Sequence, residues 1–435
     1  MAFTPHWIDA PNTAVFDGLS RNTFQYVRRD GSRLIGYNFI KNSDYGTHYG
    51  YISSDSGQTW VSNSTIGSTR SSTPSNEHGT HFFPVGNTLC CVTVGRGATG
   101  NDVQIEFLNT TTLAWDDYQL LAIEAADPST SYSGSFAGLR ADGSIIIAVQ
   151  QVNFIGGFHS IRIFKWVAGT VSEIGVVLGA TPYNYHIHNG LLDTSSNLHV
   201  LCTREDAGDG TTDFAHFSVA AADDAISSIH IIETDVEINY WWAHRNLGTG
   251  CQQPDGTLAF PYAYRTQTNY AESEDYGELH VALGDTDGDP LNPSWSLTTV
   301  NPTPDFMMPF ENAEHTIAHT AWEEGKLRVY YLTPYPRSLA PSWNDVGTSI
   351  WKCTYAGGWG TPELWFSSGE DADGSFIYSF HLVRDFTARV GIVAVCYTKI
   401  EGVQDNYAAY DGPPLANNYV SAGGPMVSRG TYASA

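Results

Sequence analysis

Basic residues are scarce in this chain. Lys and Arg together number 21 in 435 residues against 46 Asp and Glu, and only five of the 21 are Lys. The formal charge of −25 repels phosphate backbones and anionic bilayers, which argues against nucleic acid and membrane surfaces as partners. Cysteine is sparse as well, with six residues and no C-x-x-C pair. Runs such as Leu89-Cys90-Cys91-Val92 and Val393-Ala394-Val395-Cys396 read as buried thiols acting as small hydrophobes, not as a disulfide framework. No apolar run approaches the roughly 18 residues a spanning helix needs, so no membrane insertion is expected. Met1 to Trp7 has neither a basic n-region nor an apolar h-region, so it does not read as a signal peptide. The chain is then either made in a cytoplasm or has lost a signal, and the expected location is extracellular or on a virion.

Aromatics and glycine are plentiful: 24 Tyr, 20 Phe, 12 Trp and 42 Gly. Such a composition predicts many short strands joined by tight turns. One unit recurs seven times, a short strand, a polar turn and a strongly apolar strand. Examples are Phe136-Ala137-Gly138-Leu139 with Asp142-Gly143 and Ile145 to Val149, and Leu247 to Cys251 with Asp255-Gly256 and Leu258 to Tyr262. The turns fall at 31, 87, 143, 197, 256, 325 and 386. That spacing suits a four-stranded propeller blade with variable loops. The expected fold is an all-β, seven-bladed β-propeller over residues 1–412, with a six-bladed ring as the alternative. Thr4 to Asp9 is expected to supply the outer strand of the last blade and so close the ring. Residues 413–435 read as a tail or assembly segment through which the chain could oligomerise.

Ser53-Ser54-Asp55-Ser56-Gly57-Gln58-Thr59-Trp60 matches the Asp-box pattern S-x-D-x-G-x-x-W. In such a turn the Asp carboxylate accepts backbone N–H groups, Gly takes positive φ and Trp packs between sheets. A degenerate copy, Asp285-Thr286-Asp287-Gly288-Asp289 with Trp295, also reads as a possible calcium loop through Asp285, Asp287 and Asp289; no cofactor is otherwise required. On these motifs, the blade period and histidine-led inner strands, the chain resembles the BNR-repeat (sialidase-like) propellers, and within them the ulvan-lyase-like branch. The resemblance implies an acidic polysaccharide as partner. The Arg-Ile-Pro signature of sialidases is absent, which disfavours that activity.

In a propeller the first strand of each blade lines the central channel. Here such strands carry His81, Tyr185-His186-Ile187-His188, Trp241-Trp242-Ala243-His244-Arg245, His315 with His319, and His381. A lone histidine at a strand start is ordinarily structural; five blades repeating the feature give a shared funnel equal weight. Arg204, Arg245 and Arg265 suit a carboxylate or sulfate on the substrate, and Trp241 and Trp242 offer faces for sugar rings, beside their ordinary role in packing. Pairing of Arg204 with a nearby acid such as Glu205 is the structural alternative. Elimination at a uronate needs a cation on the carboxylate, a base for the C5 proton and an acid for the leaving oxygen. His186, His188, His244 and Tyr264 are the candidates for acid–base work, with Arg245 and Arg265 as the clamp. The competing reading is a non-catalytic glycan-binding virion protein, such as a phage tail adhesin. A glycoside hydrolase comes third, since only Glu77 and Glu314 could supply its carboxylates.

Overall fold

The computed structural model describes residues 6–7, 26–30, 33–41, 46–54, 61–62, 81–85, 88–96, 102–109, 112–115, 119–123, 130–153, 159–177, 183–206, 211–234, 236, 250–267, 276–300, 318–333, 349–367, 375–385, 388–400 and 403–411. The Asp-box stretch from Asp55 onward and the tail lie outside the described residues. Within them all regular structure is β. After β1 (His6–Trp7), the strands fall into meanders. These are β2 (Tyr26–Asp30), β3 (Arg33–Lys41), β4 (Gly46–Ser53) and β5 (Val61–Ser62); β6 (His81–Val85), β7 (Thr88–Arg96), β8 (Asp102–Asn109) and β9 (Gln119–Ile123); and β10 (Thr130–Leu139), β11 (Ile145–Asn153), β12 (His159–Val167) and β13 (Thr170–Val177). There follow β14 (Tyr183–Leu192), β15 (Leu198–Asp206), β16 (Thr212–Val219) and β17 (His230–Glu233); β18 (Cys251–Gln252), β19 (Leu258–Gln267), β20 (Tyr276–Asp285) and β21 (Ser294–Thr299); β22 (Ala318–Glu323), β23 (Lys326–Thr333), β24 (Ser349–Tyr355) and β25 (Glu363–Ser367); and β26 (Ser375–Asp385), β27 (Ala388–Ile400) and β28 (Val403–Asp411).

Five of these meanders are separate four-stranded sheets, and β1 to β5 with β26 to β28 form an eight-stranded one. Within the larger sheet β1 pairs antiparallel with β28, His6 opposite Ala408 and Trp7 opposite Tyr407. A single parallel pair, Arg28 with Arg384, joins β2 to β26.

The continuous apolar strands have a direct cause. Side chains alternate faces along a strand, and each face here meets a different neighbouring sheet. Ile145, Ile147 and Val149 pack against Phe83, Cys90 and Val92 of the preceding sheet. Ile146 and Ala148 pack against Tyr185, Ile187 and Val200 of the following one. Leu258, Phe260 and Tyr262 face Leu201 and Phe214, whereas Ala259 belongs to the core shared with Val329 and Tyr331. A strand sandwiched in this way needs apolar residues at every position. Face-to-face stacking of consecutive four-stranded meanders is the propeller architecture. The described thiols Cys90, Cys91, Cys202, Cys251 and Cys353 are buried. Burial pushes the Cys202 thiol up to about 12.

The repeated turns share one geometry. Arg140 N–H donates to Ser144 O at 2.8 Å and Gly143 N–H to Arg140 O at 3.0 Å. The same pair of bonds recurs at Gln253–Thr257 and at Asp193–Asn197. Each places its fourth residue at positive φ: Gly143 at 83°, Gly256 at 95°, and Ser196 at 69°. This is the three-residue hairpin loop with a bulge. Asp142 Oδ1 accepts the Ser144 N–H at 2.8 Å, and Asp255 Oδ1 accepts the Thr257 N–H at 3.0 Å, which explains Asp before Gly. Neighbouring turns are tied together: Ala141 N–H donates to Ser196 Oγ at 3.0 Å, and Thr194 N–H to Gln252 Oε1 at 2.7 Å. Arg140, 2% exposed, crosses the same interface. It pairs with Asp224 and donates to the carbonyls of Val219 and Ala220 at 3.3 and 3.0 Å.

The Asp285–Trp295 segment forms the turn between β20 and β21. Asp285 Oδ1 accepts the Asp287 N–H and Asp289 Oδ1 the Leu291 N–H, both at 2.9 Å. Trp295 packs between sheets against His216 and Phe260. Among the described residues no group of three or more His, Cys, Asp or Glu is gathered as a metal ion requires.

Candidate functional site

The residues richest in chemistry converge where the start of β14 meets the ends of β11 and β15 and the start of β12. Toward the far end of β14 the third and fourth meanders approach closely because glycine permits it. A Cβ on Gly190 would stand 2.3 Å from the Phe136 ring, and one on Gly138 would stand 2.5 Å from Leu192.

At the junction near the start of β14, Gln150 Oε1 accepts the Ile187 N–H at 3.1 Å. The other end of the amide must then be its NH2, which donates to His186 Nδ1 at 2.9 Å. His186 is therefore the tautomer protonated at Nε2, and that nitrogen faces Glu205 Oε2 at 3.8 Å. Glu205 Oε2 also accepts from Asn184 Nδ2 at 3.1 Å, and Asn184 is oriented in turn by the His159 N–H on its Oδ1 at 2.9 Å. The nearby His186 imidazole and the Asn184 hydrogen bond hold the Glu205 carboxyl below its usual range against the effect of burial. The His159 ring stands edge-on to His186 with centroids 4.7 Å apart. Burial, reinforced by the His186 ring, brings His159 down to about 4; it is neutral at physiological pH. The arrangement is a carboxylate, a tautomer-locked imidazole and a second, unprotonated imidazole in one chain.

His188, two residues along β14, contacts Thr203 Oγ1 through Nε2 at 3.0 Å. Arg204 pairs with Asp213, its cross-strand neighbour, and not with Glu205. Its Nε donates to Asp213 Oδ2 at 3.0 Å, and its guanidinium carbon lies 4.4 Å from the centre of the Tyr183 ring. The Arg204 side chain remains 26% exposed.

Three of the sequence candidates are thus brought into one sheet: His186, His188 and Arg204. His186 and His188 are 3% and 6% exposed, so both rings sit in the wall rather than on open surface. His319 is buried on β22 in a different sheet. The strands place His81 on β6, Tyr264 and Arg265 on β19, and His381 on β26; their side chains lie outside the described residues, as do Trp241, Trp242, His244, Arg245 and His315 altogether. Sequence reasoning missed His159, Gln150 and Asn184. His159 begins a third strand, where no channel-lining role is expected, and its only signal is a lone histidine at a strand start.

No protein-family model matches the chain, and no curated protein matches it. Solved structures do match along nearly its whole length. An ulvan lyase from a new family of polysaccharide lyases, bound to -[GlcA(1-4)Rha3S]-, is similar with a TM-score of 0.52 at 10% identity, covering 95% of this chain and 95% of that one. The polysaccharide lyase Uly1 is similar with a TM-score of 0.50 at 8% identity, covering 94% and 97%. The β-propeller domain of the Trilobed protease from Pyrococcus furiosus gives 0.46 at 9% identity, covering 95% of each. At these identities the likeness is one of fold: the chain shares its β-propeller architecture with polysaccharide lyases.

Proposed function

We propose that this propeller binds an acidic polysaccharide and cleaves it by β-elimination. The observation that carries the reading is the His159–His186–Glu205 chain at the junction of the third and fourth meanders. It keeps one imidazole unprotonated and another locked by the Gln150 amide beside a carboxylate, a pairing suited to proton abstraction. The fold shared with two polysaccharide lyases, one bound to -[GlcA(1-4)Rha3S]-, supports the substrate class. In this reading His186 and His188 belong to the acid–base set with His244 and Tyr264, and Arg204, Arg245 and Arg265 address the anionic group. Seven blades are inferred: dividing the eight-stranded sheet at Arg28 and Arg384 gives two further four-stranded units, the last completed by β1.

The test is incubation with a panel of acidic polysaccharides while following absorbance at roughly 235 nm, the signature of the unsaturated uronate left by elimination. The expected outcome is a rise with at least one glycan, abolished by His244→Ala at nearly unchanged melting temperature. A second reading, glycan binding without cleavage, is favoured by one observation, the 3% and 6% exposure of His186 and His188. It predicts no absorbance change with any glycan and a weakened calorimetric titration for the same variant.

A further inference from the structure

A second group of histidines lies at the other end of β14 to β16, next to the turn that joins β14 to β15. His199 and His216 stand in the apolar runs Leu198 to Cys202 and Phe214 to Val219, and both are 0% exposed. Their rings stack at 5.3 Å with an interplanar angle of 19°. His199 Nε2 reaches Asp193 Oδ2 at 3.4 Å. A carboxylate can only accept, so His199 carries its proton on Nε2 and offers the lone pair of Nδ1. His216 Nε2 lies 3.1 Å from that Nδ1 and must be the donor. Every imidazole N–H therefore points toward one carboxylate. The remaining basic nitrogen, His216 Nδ1, is buried with no partner among the described residues.

The ring that carries this nitrogen lies at the interface with the following meander. The His216 ring meets Trp295 of β21 at 5.0 Å, and Ser218 Oγ, on the same strand face, donates to Leu291 O at 2.7 Å. The facing groups are few. Trp295 brings no charge. Asp289, in the turn before β21, is held by the Leu291 N–H and by Asn292 Nδ2 at 2.8 Å. His230 stands opposite His216 on β17. Asp193 is already committed, to the Asn197 N–H at 2.7 Å and Asn197 Nδ2 at 2.8 Å. A further proton on the imidazole pair finds no acceptor. If His199 takes it, His216 reverses its tautomer and presents a buried Nδ1–H with no acceptor among the described residues; if His216 takes it, the same N–H results.

We propose that the Asp193–His199–His216 chain is a proton-sensitive latch between the β14–β17 and β18–β21 meanders, closed at neutral pH and opened locally in acid. Opening is the one route by which the pair can gain a proton and hydrate it. The sign follows from linkage. Burial first, then His199 and His230, hold His216 well below its usual range. The closed form therefore refuses a proton that the open form accepts, and closure weakens as pH falls below the ordinary imidazole range.

Hydrogen exchange on the full chain tests this between about pH 7.5 and about pH 5, with rates corrected for intrinsic exchange. The probes are amides of β16 and β21, with Ile145 to Val149 of β11 as internal reference. The expected result is that protection in β16 and β21 falls relative to β11 by up to about tenfold per pH unit for each proton taken up. His216→Gln, which cannot be protonated, should flatten that dependence. Should this variant fail to fold, the wild-type comparison decides alone. Protection in β16 that tracks β11 at every pH overturns the latch, and so does an undiminished slope in His216→Gln.

Discussion

Two side chains near the start of β14, His159 and Glu205, make the native state sensitive to acid in a calculable direction. His159 is held down to about 4 from 6.5, so between those values unfolding takes up a proton that the fold refuses. Its contribution is intact above about 6.5 and declines as pH falls toward 4, with a limiting slope of about 1.4 kcal/mol per unit. Glu205 acts lower on the scale: its carboxyl is depressed by His186, so its stabilisation is present above the ordinary carboxylate range and is lost as pH drops through the native value. Urea denaturation of the wild type and His159→Asn between about pH 7 and 4 should therefore show a shallower decline in the variant. Identical slopes would mean that the His159 ring is not held neutral by the fold. None of this was legible from residues in order. His159 and His186 meet only because two separate meanders place the start of one strand beside the fourth residue of another, and Gln150 looks like a polar interruption of an apolar run until its amide is seen reading Ile187.

At the scale of the hairpin, sequence and structure agree closely because the forces are local. Asp142-Gly143 and Asp255-Gly256 announce their turns through a carboxylate that caps the next N–H and a residue free to adopt positive φ. Ser196 shows the limit of that legibility: it occupies the same left-handed position at 69°, retained while its hydroxyl accepts the Ala141 N–H. Gly143→Ala isolates the backbone contribution, since an added Cβ there meets nothing within 4 Å. It should cost about 1 kcal/mol, and Gly143→Asn less, because Asn visits the left-handed region more readily. Equal losses for the two would show that the position is not limited by φ. The apolar runs of β11, β15 and β19 were equally readable, and for a global reason: each strand is covered on both faces, so no polar alternation survives to mislead.

At the scale of the whole molecule, meanders adhere through extended cores and a few buried polar ties. Arg140 is the most committed of these, its guanidinium surrounded by Asp224 and two backbone carbonyls of the next meander. Lys165 holds the same carboxylate at 2.8 Å from a more exposed position. Arg140→Met should lower stability by about 3 kcal/mol, because it strands buried acceptors; Lys165→Met should lower it by less than about 1 kcal/mol. Denaturant midpoints at constant slope check both, and a Lys165 effect as large as that of Arg140 would contradict this ranking. The net charge of −25 is the most general signal in the sequence. It argues against phosphate backbones and anionic bilayers as partners, and the proposed glycan is left to the experiments above.

The ties between turns also carry an order in time. Ala141 offers its N–H to a serine 55 residues further on, and Thr194 to a glutamine 58 residues further on. During synthesis at roughly 5–20 residues per second, each turn waits about 3 to 12 seconds for the residue that completes it. A meander leaving the ribosome thus has its apolar face and its turn N–H open until its successor arrives, and each successor inherits the same debt. Anything that stalls translation within one such interval leaves the most recent meander half covered, so slow codons would be better tolerated at the ends of these units than inside them.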